Sequence, residues 1–462
     1  MRPRLRSLAA AAGLLGVGLL DAAEPLPIDP LWKSETFRRS VTASFGIDSR
    51  IEPRLTEDEA FYLDESAKAM ADEDREKAAS VLRDSSLLEK SPAMLFNLAT
   101  LEFEASRPEA AAERFEQALA LFPNFRDAHR NYAIVLVQAG EFKKAKTHLV
   151  RALELGAQDG LATGLLGYCH AREGHHQPAL DAYRLALLTQ PDERQWRLGE
   201  AEALLALERP REAASILQGL LGDASADPAP WLLQADAWLT LGDELAAAAN
   251  LEFLHRVGTL DAPAKVSLGH LYAQQGLPEL ALDRYLEALA DDSPPAPARI
   301  LEGLELFLSQ SDWTRAADLA ESIGEVEAYR SSLSPEEGER ELVSRLVRAR
   351  AILELETGDA EAGAALVADW LRREPLDGDA LLLLARFHES SGRRAEAEML
   401  LEQAARMPDH AAAAALAHGR LLVAAGEHEA ALEHLEKSHE LEPGDALASY
   451  LAAIRELVRP RR

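Results

Sequence analysis

The sequence contains little cysteine, few aromatic residues and fewer basic than acidic side chains. Its 462 residues include one cysteine, Cys169, which excludes an intramolecular disulfide framework and a cysteine-cluster metal site. The net charge of −29 argues against nucleic acid as the main partner, because phosphate binding needs a basic face. Aromatic residues make up only 6% of the chain, but the hydrophobic content of 47% is typical of a folded protein.

The first 23 residues have the three parts of a secretory signal. Three arginines within residues 2–6 precede an apolar run over residues 7–20, and small residues follow at Ala22 and Ala23. The apolar run is shorter than the ~20 residues that span a bilayer. We therefore predict a periplasmic or secreted protein, cleaved near Ala22 or Ala23, with no integral membrane span after removal of the signal. The alternative is a signal that is retained as a membrane anchor.

Residues 24–56 differ in character from the rest of the chain. They contain four prolines and no sustained helical period, which predicts a leader that is extended or partly ordered. From residue 57 onward, apolar residues recur with the i, i+3, i+4, i+7 spacing of amphipathic helices. The remaining chain is therefore predicted to be almost entirely helical.

A period of 34 residues organises these helices, and three positions carry it. Alanines recur at this interval at Ala111, Ala145, Ala179, Ala213, Ala247 and Ala281. Four residues later stand large apolar residues, at Phe115, Leu149, Tyr183, Leu217, Leu251 and Tyr285. Five residues before each alanine lies a turn position, occupied by Ser106, Gly140, Gly174, Glu208, Gly242 and Gly276.

The period is interrupted once and then resumes at Gly363, Ala397 and Ala431. We therefore predict an N-terminal array over residues 57–324, an inserted loop over 325–341 and a C-terminal array over 342–443. Residues 444–462 are predicted to form a capping helix and a basic tail.

These repeating positions resemble the tetratricopeptide repeat. The strongest match combines Leu268, Gly269, Tyr272, Gly276 and Ala281. The resemblance implies an all-α fold, a right-handed α-solenoid of about ten to eleven helix–turn–helix units that ends in the capping helix. It also implies a protein-binding scaffold rather than an enzyme.

The resemblance further implies that the first helix of each unit lines a concave groove. Carried over by position, this groove contains Phe96, Asn97, Arg130, Asn131, Tyr168, Arg172, Arg345, Arg348, Arg386 and Arg420. Arg386 and Arg420 occupy the same position in consecutive units, which suggests a site for an acidic or C-terminal segment of a partner protein. The alternative is that the arginines pair with glutamates on adjacent helices.

No pattern in the sequence predicts a catalytic residue, a cofactor or a metal. Cys169 beside His170 is interpreted as a buried structural thiol. His175 and His176 are interpreted as solvated turn residues. The remaining histidines that invite a metal interpretation lack the spacing that places two ligands on one helical face; they are His428, His434 and His439.

We therefore expect a scaffold of a bacterial cell envelope that associates with a membrane complex. Residues 45–59 are also similar to leaders of periplasmic repeat proteins that accompany TonB/ExbB/ExbD-type energy-transduction systems. A component of a polysaccharide-export or secretion assembly is the third alternative.

Overall fold

The computed structural model describes residues 48–157, 160–222, 227–325, 329, 333 and 339–458. Within these residues the chain forms 23 α-helices and no β-strand, which confirms the predicted all-α fold. The predicted signal peptide, most of the leader, most of the inserted loop and the basic tail lie outside the described residues. None of the described helices has the length and apolarity needed to cross a membrane.

The chain divides after Thr259 into two compact units. The described part of the first unit contains six helix pairs: α1 (Glu57–Ala71) with α2 (Arg75–Arg83), α3 (Pro92–Glu104) with α4 (Pro108–Leu121), α5 (Arg126–Gln138) with α6 (Phe142–Glu154), α7 (Gly160–Arg172) with α8 (His176–Thr189), α9 (Arg194–Ala206) with α10 (Pro210–Gln218), and α11 (Ala229–Thr240) with α12 (Glu244–Val257).

Among its described residues, the second unit contains five helix pairs and one final helix. These are α13 (Ala262–Gln274) with α14 (Pro278–Leu289), α15 (Pro297–Ser309) with α16 (Trp313–Glu325), α17 (Arg340–Thr357) with α18 (Ala360–Arg373), α19 (Gly378–Ser390) with α20 (Arg394–Ala404), α21 (Ala411–Ala424) with α22 (His428–Leu441), and α23 (Asp445–Val458). Each unit is thus a stack of helix–turn–helix pairs, and the predicted number of pairs is confirmed.

Local signals in the sequence start and separate the helices. Thr56 and Glu59 form a capping box at the start of α1, which satisfies backbone donors that the helix leaves free. At the turn position between paired helices the backbone is left-handed, with φ of +75° at Gly140 and +73° at Gly276. Glycine adopts this conformation without the steric cost that a Cβ atom brings.

The repeating alanines and large apolar residues form the core. All six alanines from Ala111 to Ala281 have no exposed surface. The Tyr183 ring lies between α7 and α9, where a Cβ atom added at Gly167 or Gly199 would approach it to 2.9 or 2.5 Å. The two glycines therefore leave the space that the ring fills, and the ring joins one helix pair to the next.

Both the predicted inserted loop and the predicted capping helix contribute buried side chains to a hydrophobic core. Tyr329 is only 3% exposed and packs in the core of the second unit, where its hydroxyl donates to the carbonyl oxygen of Pro295. This part of the insertion is therefore not simply a surface loop. In α23, Leu451 and Ile454 are buried against the last pair, whereas Arg455 faces solvent and pairs with Glu436 at 2.6 Å.

Candidate partner-binding face

The first helices of successive pairs lie side by side within each unit. In the first unit α3, α5, α7, α9 and α11 contact one another in turn, and in the second unit α13, α15, α17, α19 and α21 do the same. We call the surface that these helices form in each unit its first-helix face. All ten residues predicted to bind a partner lie on these helices, but the structure gives them different surroundings.

Phe96 is a core residue, so its predicted role as a partner contact is wrong. Its ring is 0% exposed and lies 5.7 Å from the ring of Phe115 and 5.0 Å from that of Phe125, measured between centroids. The neighbouring Asn97 is half-buried, and its amide donates to the carbonyl oxygen of Ala93 at 2.8 Å. The Phe96 ring therefore fills the space between its own helix, α4 and the start of α5.

Arg130 and Asn131 are also buried, which corrects the expectation that they face an open groove. Arg130 is 9% exposed and Asn131 is 3% exposed, and the Arg130 Nε atom donates to the Asn131 Oδ1 atom at 3.2 Å. All of residues 127–137 on α5 are buried. A helix that is buried along its length offers no open surface to a partner.

Part of the predicted leader lies against the start of α5. The carbonyl oxygen of Ile51 accepts a hydrogen bond from the backbone N–H of Arg126 at 3.2 Å. Glu52, which is 3% exposed, accepts another from the Arg126 guanidinium at 3.4 Å. Residues 51 and 52 are therefore attached to a helix more than 70 residues away along the chain.

Tyr168 and Arg172 lie together on α7, in a cluster that also contains Phe142. The Arg172 guanidinium carbon lies 5.2 Å from the centre of the Phe142 ring, which is a cation–π arrangement. The Tyr168 and Phe142 rings meet edge to face, with centroids 6.0 Å apart. Arg172 is exposed and Tyr168 is half-buried. This cluster is the accessible part of the predicted N-terminal site.

In the second unit, Arg345 and Arg348 form ion pairs with acidic residues on adjacent helices. Arg345 on α17 donates two hydrogen bonds to Glu305 on α15, at 2.7 and 2.9 Å, and these bonds raise its pKa above the usual value. Arg348 pairs with Asp379 on α19. These contacts support the alternative that the sequence left open, in which arginines pair with acidic residues on adjacent helices.

Arg386 and Arg420 remain the most accessible of the four arginines. The Arg386 side chain is 54% exposed, compared with 16% for Arg345 and 20% for Arg348. Its guanidinium lies 3.4 Å from a carboxylate oxygen of Glu356, at the long end of hydrogen bonding. Arg420 occupies the equivalent position on α21, is exposed and forms no ion pair within the described part of the chain.

Comparison with protein families agrees with this architecture. The family model named tetratricopeptide repeat matches residues 102–167, and a second model of the same name matches residues 380–410. These matches fall on helix pairs whose 34-residue period and packing are described above. This chain contains tetratricopeptide repeats. Comparison with curated proteins gives no match.

Several solved structures are similar to this chain over part of its length. A tetratricopeptide repeat protein from Parabacteroides merdae ATCC 43184 is 19% identical, with 54% of this chain and 98% of that chain covered and a TM-score of 0.38. PilW, described as a widely conserved type IV pilus biogenesis factor, is 17% identical over 46% of this chain and 100% of its own, also with a TM-score of 0.38. YrrB, described as having an unusual peptide-binding site, is 18% identical over 44% and 97%, with a TM-score of 0.35.

Sequence reasoning did not identify which side chains contact the predicted residues. Phe142 belongs to a second helix, so a search restricted to first helices passes over it. The acidic partners stand 40 residues before Arg345, 31 after Arg348 and 30 before Arg386. A search for opposite charges about one repeat apart would have found all three pairs.

The single thiol and the His428, His434 and His439 group show no arrangement for chemistry. Cys169 is fully buried, and burial raises the pKa of its thiol to about 12, so it is not a reactive nucleophile. His434 stacks on His418 with ring centroids 4.0 Å apart. Among the described residues, His428, His434 and His439 do not bring three ligand atoms together.

Proposed function

We propose that this tetratricopeptide repeat protein is an exported scaffold of the bacterial cell envelope. In this proposal it binds an acidic segment of a partner protein on the first-helix face of the second unit, with Arg386 and Arg420 as anchors. The observation that carries the proposal is the exposure of these two arginines at equivalent positions of neighbouring first helices.

The contrast with the adjacent arginines supports this choice of anchors. Arg345 already holds a carboxylate through two hydrogen bonds, so a partner would have to displace Glu305 to reach it. Arg386 has a single long contact to Glu356. A carboxylate brought by a partner would gain charge-assisted hydrogen bonds at Arg386 and Arg420 with little rearrangement.

The envelope location rests on the sequence. Residues 1–23 have the pattern of a secretory signal, and they lie outside the described residues. Signal cleavage is tested directly by N-terminal sequencing of the protein recovered from the periplasm. A mature chain that begins near residue 23 or 24 would support export, whereas an intact N-terminus in the cytoplasm would contradict it.

Partner binding is tested by crosslinking a C-terminally tagged copy in cells and identifying the captured proteins. We expect the double variant Arg386→Glu and Arg420→Glu to lose the main partner while it remains folded. The matched control is Arg372→Glu with Arg373→Glu, which makes the same charge change at exposed positions on the second helix α18. Equal capture by both double variants would contradict the proposed site.

The identity of the partner also decides between the finer alternatives. The similarity of residues 45–59 to leaders of TonB-associated repeat proteins favours an accessory of a TonB/ExbB/ExbD-type system. Capture of TonB, ExbB or ExbD that depends on Arg386 and Arg420 would support that alternative. Capture of a polysaccharide-export or secretion component with the same dependence would support the third.

A further inference from the structure

Two histidines and a glutamate meet at the turn between α7 and α8. His170 lies on the last turn of α7, while Glu173 and His175 lie in the connection to α8. One ligand atom from each of the three residues lies within 4.8 Å of the other two. His170 and Glu173 are half-buried, and His175 is exposed. The group is therefore reachable from solvent, and it belongs to the first unit, whereas the arginine anchors belong to the second.

The backbone of the turn brings the three side chains together. Gly174 is left-handed at φ +74°, and its N–H donates to the carbonyl oxygen of Ala171 at 2.9 Å. The N–H of His175 donates to the carbonyl oxygen of His170, also at 2.9 Å. This pair of bonds ends the helix and folds the chain back, so the two imidazole rings lie with their centroids 6.0 Å apart.

The fold does not require these side chains at the turn. In the preceding repeat the first helix ends with the same type of hydrogen bond between residues five apart. It runs from the N–H of Glu141 to the carbonyl oxygen of Leu136 at 2.8 Å. In the following repeat it runs from Arg209 to Leu204, again at 2.8 Å. Neither of these turns places an imidazole at either position, so the ligand set belongs to the α7–α8 turn and is not a property of the repeat.

We propose that His170, Glu173 and His175 bind one divalent metal ion of the zinc class. Two imidazole nitrogens and one carboxylate oxygen form a set that Zn²⁺ accepts, with water in the fourth position. Harder cations such as Mg²⁺ and Ca²⁺ prefer sets made only of oxygen atoms. The ion would link the end of α7 to the start of α8 and so stabilise this repeat when bound.

Lys146 on α6 is part of the same site. Its ammonium group contacts the Glu173 carboxylate, and both side chains are half-buried, at 21% and 23% exposed. The ammonium therefore neutralises the carboxylate that a metal ion would use. Metal binding at this turn competes with that ion pair, and removal of the lysine charge strengthens binding.

The test is isothermal titration of the full-length chain, without a histidine tag, with zinc chloride. We expect one ion to bind per chain, and His175→Ala to weaken binding by more than the ~10-fold that follows loss of a group that only orients a metal ligand. Lys146→Met is expected to strengthen it. His176→Ala is the matched control, because His176 is the next residue in the chain but is not part of the group. Exposed His175 is chosen as the main substitution because its loss leaves the core intact.

Three outcomes would overturn the proposal. The first is the absence of a zinc signal in the wild-type chain, and the second is equal weakening by His175→Ala and His176→Ala. The third is loss of binding in His434→Ala with no effect of His175→Ala, which would assign the ion to the stacked His418–His434 pair. Circular dichroism of each variant separates loss of ligand from loss of fold.

Discussion

The helices α5 and α19 are both first helices of their pairs, yet they present opposite kinds of surface. On α5 every residue from 127 to 137 is buried, including the charged Arg130. On α19, Arg386 is exposed and so are Glu389 and Ser390. Helices that occupy the same place in the repeat therefore differ in how much of their surface is exposed.

The largest expected effect tests the burial of the first-helix face in the first unit. Phe96→Ala removes a fully buried ring that packs against Phe115 and Phe125, so we expect a loss of about 3–5 kcal/mol in the free energy of unfolding. Arg386→Ala removes a mostly exposed side chain with one long ion pair and is expected to cost less than about 1 kcal/mol. Urea unfolding followed by circular dichroism measures both.

Similar losses of stability for these two variants would contradict the contrast between a buried first-helix residue in the first unit and an exposed one in the second. A small effect of Phe96→Ala would mean that the buried ring contributes little to the stability of the first unit. A large effect of Arg386→Ala would mean that its contact with Glu356 stabilises the fold, which would leave Arg420 as the better candidate anchor.

The sequence predicts the packing of the repeats better than it predicts their surfaces. Each repeating alanine and large apolar residue packs against the equivalent residues of the next repeat. The same residue types therefore recur every 34 positions, and this recurrence can be found in the sequence. The burial of Arg130 and Asn131 has no such periodic signal. The contact of Glu52 with Arg126 joins residues 74 positions apart, and no spacing rule indicates it.

The two units have the same arrangement of one buried tyrosine ring between two glycines. Tyr285 lies between two glycines in the second unit as Tyr183 does in the first, and a Cβ atom at Gly303 would lie 2.7 Å from the ring of Tyr285. Gly199→Ala and Gly303→Ala should each destabilise the protein by about 1–3 kcal/mol, because the rings have no room to move. This loss exceeds the gain of up to ~1 kcal/mol that alanine brings to a helix.

A second substitution distinguishes a steric clash from other causes. Leucine occupies the position of Tyr183 in neighbouring repeats, as at Leu217, where no glycine is needed. Adding Tyr183→Leu should therefore make Gly199→Ala nearly neutral in that background, as measured by a double-mutant cycle in urea unfolding. An additive cycle would show that the tyrosine ring is not the group that excludes the methyl group.

A pair of histidines between α5 and α6 should make the stability of the first unit decrease in acid. The Nδ1 atoms of His129 on α5 and His148 on α6 lie 2.8 Å apart, and His129 Nε2 lies 3.0 Å from the carbonyl oxygen of Pro123. One shared proton satisfies both Nδ1 atoms, whereas two would repel. Burial, followed by the proximity of His129, lowers the pKa of His148 to about 4, although Glu116 opposes the shift.

The pKa of His148 is lower in the folded chain than its ordinary value of about 6.5, so below that pH the unfolded chain binds more protons. Stability is therefore lost as the pH falls from about 6.5 towards 4, and after allowance for partial solvent exposure we expect about 1–2 kcal/mol from this group. Urea unfolding at pH 7 and pH 5 should show a smaller loss for His148→Gln than for the wild-type chain. Identical losses would mean that the carboxylates alone cause the acid sensitivity, and that burial of polar groups near α5 carries no cost in acid.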